Sequence, residues 1–171
     1  IISGEHEADL KRIARDLKTL CETHIGFFGK APFTRYDFML YAAGDDQYGG
    51  LEHRNSTSLI CPRSWLPKAG EETDASRYQD FLGLCSHEYF HAWHVKSMRP
   101  QAFMEPDLGQ EAYTRLLWVF EGFTAYYDTL MLVRSGLMSP EEYLKDLAKT
   151  ITRYLRTPGR HVQRVDESSF D

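Results

Sequence analysis

The chain has 171 residues, 42% hydrophobic and 26% charged, enough to bury one core, and a single domain is the default expectation. A formal charge of −5 and the lack of any long basic run argue against nucleic acid or an anionic membrane as a partner. No stretch approaches the ~20 apolar residues that a membrane-spanning helix needs, and no secretory pattern opens the chain.

Apolar residues at Leu10, Ile13, Ala14, Leu17, Leu20, Cys21, Ile25 and Phe28 predict an amphipathic helix over residues 4–28, with Ser3 as N-cap and Gly29 and Pro32 as its stop. His6 and His24 have no partners at ligand spacing on this helix, which reads as scaffold. Residues 33–61 form the predicted strand region. Phe33 to Ala43 is aromatic-rich and ends in Gly44-Asp45-Asp46, a buried strand and a turn. Gly49 and Gly50 precede a second strand that runs to Cys61, and paired glycines there mark a bulge or a close approach of another backbone. Glu52 by itself reads as a solvated carboxylate at a strand edge. Residues 62–73 are a surface connection.

A mostly buried helix is expected over residues 74–100, with Tyr78, Phe81, Leu82, Cys85 and Tyr89 on one stripe and Leu84, His87, His91 and Val95 on another. Residues 110–135 predict a third helix, and Ser139-Pro140-Glu141-Glu142 opens a fourth with a capping box, ending near residue 156. The helical part that carries the chemistry thus spans residues 74–157. Cys21, Cys61 and Cys85 are widely spaced with no Cys-x-x-Cys pair, so they read as small buried hydrophobes and favour a reducing, cytoplasmic setting.

The chemistry lies in His87-Glu88-Tyr89-Phe90-His91. Histidines four apart project from one helical face within reach of one cation, the intervening position suits a general base, and the burial expected of this helix requires both rings to be satisfied. Catalytic zinc takes three protein ligands and keeps one position open. Glu121, a single carboxylate in the apolar run Leu116 to Tyr127, completes the set if the third helix packs across the second. One zinc ion per chain is expected, with Glu88 taking a proton from the zinc-bound water and handing it to the leaving amine. His94 is seven residues from His87, about 10 Å along the axis, too far to share the ion. Asp128, seven residues after Glu121 on the same face, is placed to orient a ligand histidine.

His87 to Lys96, Trp118 to Tyr127 and Gly49-Gly50-Leu51-Glu52-His53-Arg54 together resemble the glycyl aminopeptidase family of zinc metallopeptidases, in the thermolysin-like gluzincin group, over essentially the whole chain. The resemblance implies an α+β thermolysin-like core with a small sheet and four main helices. It implies that Glu121 is the third zinc ligand, that Glu52 holds the free α-amine of a peptide, and that Gly49 and Gly50 lie along its backbone. His53 departs from the asparagine of better-known aminopeptidases. The resemblance further implies removal of small N-terminal residues such as glycine or alanine, a β-rich domain before and a PDZ-type domain after this one, and an oxyanion-stabilising tyrosine beyond Asp171. The chain begins with Ile and stops at Asp171, so residues 1–171 are expected to be a catalytic-domain fragment that binds zinc but turns over poorly. The rivals are a zinc endopeptidase and a catalytically inactive peptide-binding scaffold.

Overall fold

The computed structural model describes residues 1–105, 107 and 109–170. The architecture is α+β. A four-stranded sheet of order β1-β2-β4-β3 is built from β1 (Ile2–Ser3), β2 (Asp37–Ala43), β3 (Gly49–Glu52) and β4 (Ser56–Pro62). The pairs β1–β2 and β2–β4 are parallel, while β3 runs antiparallel to β4 and, among the described residues, pairs with no other strand, which leaves its outer edge open there. The helices are α1 (Leu10–Phe28), α2 (Ala75–Phe90), α3 (Leu117–Arg134), α4 (Pro140–Arg156) and the single-turn α5 (Val165–Ser168).

The core explains the placement of α2. Leu40, Ala42, Leu59 and Cys61 of the sheet meet Tyr78, Phe81, Leu82 and Cys85 of α2, and Ile13 and Leu20 of α1 and Met131 and Leu132 of α3 close the same cluster. Nine residues of α2 are buried, including both polar groups Ser86 and Glu88. Among the described residues, helix α4 buries none of its own, and Leu144, Ile151, Tyr154 and Leu155 lie exposed.

Four boundaries differ from the sequence expectation. The first helix starts at Leu10 rather than at residue 4, because the Asp9 carboxylate accepts from the Lys11 and Arg12 amides while Ile2 and Ser3 pair with Leu40 and Tyr41. Gly4 makes this entry possible: its φ is +88°, and a Cβ there would lie 2.5 Å from the Ala42 carbonyl oxygen. The second helix ends at Phe90, with His91 as its C-cap, and does not continue to residue 100. Trp93 turns inward there, stacking on Phe28 and donating its indole N–H to the Lys30 carbonyl at 2.8 Å, which draws the backbone off the helix axis. The third helix begins at Leu117 rather than at residue 110, since the Thr114 hydroxyl accepts the Leu116 amide in a local turn that competes with helix. The first predicted strand is also shorter, starting at Asp37, because Phe33 and Tyr36 pack against Tyr89 instead. Capping box and proline open α4 as expected, with Ser139 and Glu142 bonded reciprocally.

Candidate active site

The last turn of α2 and its cap carry His87, Glu88 and His91. Each histidine has one ring nitrogen occupied. His87 Nδ1 lies 3.1 Å from Asp128 Oδ2, and His91 Nδ1 lies 3.0 Å from the His94 carbonyl oxygen. Both partners are pure acceptors, so each Nδ1 carries a proton, and in the neutral form of either ring Nε2 keeps its lone pair. Those two Nε2 atoms face each other at 3.1 Å, a repulsive arrangement unless something positive lies between them.

Helix α3 supplies that neighbourhood with charge. Glu121 Oε2 is 3.3 Å from His87 Nε2 and 3.5 Å from His91 Nε2. With tetrahedral ligand bonds of about 2.0–2.1 Å, donor atoms are separated by about 3.3–3.5 Å. The observed triangle, 3.1, 3.3 and 3.5 Å, therefore has the dimensions of one face of a zinc tetrahedron, and His87, His91 and Glu121 fit a metal ion. Hydrogen bonds from His87 and then His91 hold the Glu121 carboxyl below its usual range. Burial pushes His87 down, but hydrogen bonds to Asp128 and Glu121 outweigh it and raise it to about 10. The Asp128 and Glu121 carboxylates thus favour a positive charge beside them, either a second proton on His87 or a cation held by the Nε2 lone pairs.

Ser86 ties the two helices together behind the site. Its hydroxyl donates to the Asp128 carbonyl at 2.7 Å and accepts from His24 Nε2 at 2.9 Å. His24 is fully buried, and burial pushes its pKa down to about 3, so it remains a neutral donor and a scaffold residue. His94 makes its contribution through its backbone carbonyl, and its ring lies against Thr124 and Phe120.

Glu88 is 5% exposed, points toward β3, and has Oε2 buried with no hydrogen-bond partner among the described residues. Burial raises its pKa, while His87 and His91 pull it down. The structure brings Gly50 into direct contact with it: a Cβ on Gly50 would lie 2.2 Å from Glu88 Oε1, whereas one on Gly49 would meet only Ile60 at 3.9 Å. The two glycines therefore differ, and Gly50 alone is compelled by the carboxylate. A side chain at position 50, even the methyl of Gly50→Ala, forces the Glu88 carboxylate to move.

Glu52 sits at the end of β3 in an ion pair, its Oε1 3.0 Å from Lys96 Nζ. Sequence reading missed Lys96 for a geometric reason. On a helix continuing to residue 100, a residue five after His91 points about 140° away from it. Because the helix stops at His91, the following turn returns Lys96 to the site, and its amide donates to the His91 carbonyl at 3.0 Å. The clue in the sequence was Trp93, a large ring with an N–H that needs a buried partner.

Known proteins give this geometry its context. No curated protein matches the chain. Among solved structures, the fold superposes with a TM-score of 0.95 on a crystal structure described as an aminopeptidase N family protein from Idiomarina loihiensis, at 46% identity over 99% of this chain. This chain spans 29% of the length of that protein. The sequence model of M61 glycyl aminopeptidase matches residues 80–171, a segment that begins within α2 and takes in His87, Glu88, His91, Glu121 and Asp128. Since that match covers more than half of the chain and includes the whole His-His-Glu group, the chain belongs to the M61 glycyl aminopeptidase family of peptidases.

Proposed function

We propose that the chain is the catalytic core of a zinc-dependent aminopeptidase that removes N-terminal residues, small ones such as glycine or alanine, from peptides with a free amine. The observation that carries the reading is the convergence of His87 Nε2, His91 Nε2 and Glu121 Oε2, with Glu88 between the histidines in sequence and pressed against an open sheet edge. Zinc held by this trio supplies a Lewis acid for the scissile carbonyl and for the attacking water.

The chain's own groups do the rest. Asp128 and the His94 carbonyl keep both imidazoles in the tautomer that presents Nε2. Glu88 takes a proton from water and passes it to the departing amine; its buried, partnerless Oε2 gives that proton a place to rest. The open edge of β3 offers backbone groups to an extended peptide, with Gly49 and Gly50 allowing close approach and Glu52 meeting the terminal amine. The small-residue preference rests on the family alone.

Glu52 decides between exopeptidase and endopeptidase. In the full-length protein, Glu52→Ala is expected to raise KM for alanyl and glycyl arylamides about tenfold or more, the loss of one charge-assisted contact, while hydrolysis of N-acetylated peptides stays where it was. Equal effects on free and acetylated substrates would overturn the aminopeptidase assignment. One observation favours the endopeptidase reading: Glu52 already has a cationic partner in Lys96.

A further inference from the structure

We infer that Lys96 is an internal competitor for the amine anchor, its ammonium group occupying Glu52 in the resting protein and setting the affinity for substrates with a free N-terminus. The inference rests on the aminopeptidase reading above and extends it to a residue with no other assigned role.

Position and chemistry carry it. The Lys96 ammonium stands 3.0 Å from Glu52 Oε1, and the two side chains are only 27% and 24% exposed. A primary ammonium against a carboxylate is the same contact that a peptide N-terminus would make there. The Lys96 backbone is held on both sides, its amide donating to the His91 carbonyl at 3.0 Å and its carbonyl accepting from Arg99 Nε at 2.9 Å. The cleft around the pair is also lined by Arg54 and Arg99, and Glu52 is the sole carboxylate among its described lining residues. A displaced Lys96 therefore shares the cleft with other cations and meets no second carboxylate among its described lining residues. Two ammonium groups cannot share one carboxylate without repulsion, so a substrate binds at Glu52 against Lys96. A stapling role, in which Lys96 only fastens the end of α2 to β3, would leave substrate affinity untouched once the protein is folded.

The test uses the full-length, zinc-loaded protein, with glycyl and alanyl arylamides beside N-acetylated peptides. Lys96→Met is expected to lower KM for the free-amine substrates about two- to fivefold, the range open to a partly exposed ion pair, with the change in KM rather than in kcat. Lys96→Arg keeps the competing charge and is expected to keep the parent KM, and acetylated substrates are expected to show no change. Inhibition by butylammonium gives an independent measure, expected to tighten in Lys96→Met by a similar factor. If Lys96→Met does not fold, Lys96→Gln preserves a hydrogen bond to Glu52 without the charge and is expected to behave in the same way. A KM that is unchanged or raised in these variants, while Glu52→Ala raises it, overturns the competition and leaves the anchor standing. No effect of Glu52→Ala on free-amine substrates removes the anchor itself.

Discussion

Replacing Glu88 by glutamine is expected to lower kcat by about 10³- to 10⁴-fold in the full-length protein while zinc content stays at one ion per chain. Glutamine has nearly the same volume and fits the space beside Gly50, so the helix and the two histidines keep their places. What is lost is an oxygen able to accept a proton. Glu88 is almost wholly buried, and among the described residues no other side chain hydrogen-bonds its Oε2, so the transfer has no bonded group to pass to. Steady-state kinetics and metal analysis of the same preparation check both halves of the expectation. An unchanged rate would remove Glu88 from the mechanism, and a rate lost together with the metal would make it a structural residue.

Removing the metal is expected to abolish turnover, by about 10³-fold or more if the ion contributes several kcal/mol to the barrier, and added zinc is expected to restore it. A second readout needs no substrate. His87 Nε2, His91 Nε2 and Glu121 Oε2 converge only in the folded chain, so an ion held by the three stabilises the folded state alone. Free zinc at a thousand times its Kd then adds about 4 kcal/mol of stability, which in a chain of this size raises Tm by about 8 to 16 °C. Thermal unfolding with and without zinc measures this directly. A melting curve that does not move would show that the trio does not hold the ion.

What was legible in the sequence is what the helix repeat carries. His87 and His91 are four residues apart, so any helix brings them together, and Asp128 falls on the face of Glu121 by the same repeat. Glu121 stood out because a carboxylate amid Leu117, Trp118, Val119 and Phe120 calls for a cationic partner. The pairing of Ile2 and Ser3 with β2 was not legible, since a strand so short has no periodicity and its partner lies nearly forty residues away. The Gly50–Glu88 contact was only half legible: the glycine pair signalled close approach but not what approaches. Lys96 was hidden by the helix end, where a tertiary contact of Trp93 overrode the local pattern.

That helix end divides the labour of the site. Up to His91 the backbone is regular, buried and shared with the core; one residue later it is irregular and runs past Lys96 to Arg99 beside the open strand. Val95, Lys96 and Arg99 face the cleft, and the Nδ1 partners of both histidines lie outside the stretch that carries them. A lineage can therefore reshape the cleft beside Glu52 by drifting in these three positions, with the His-His-Glu group inherited intact.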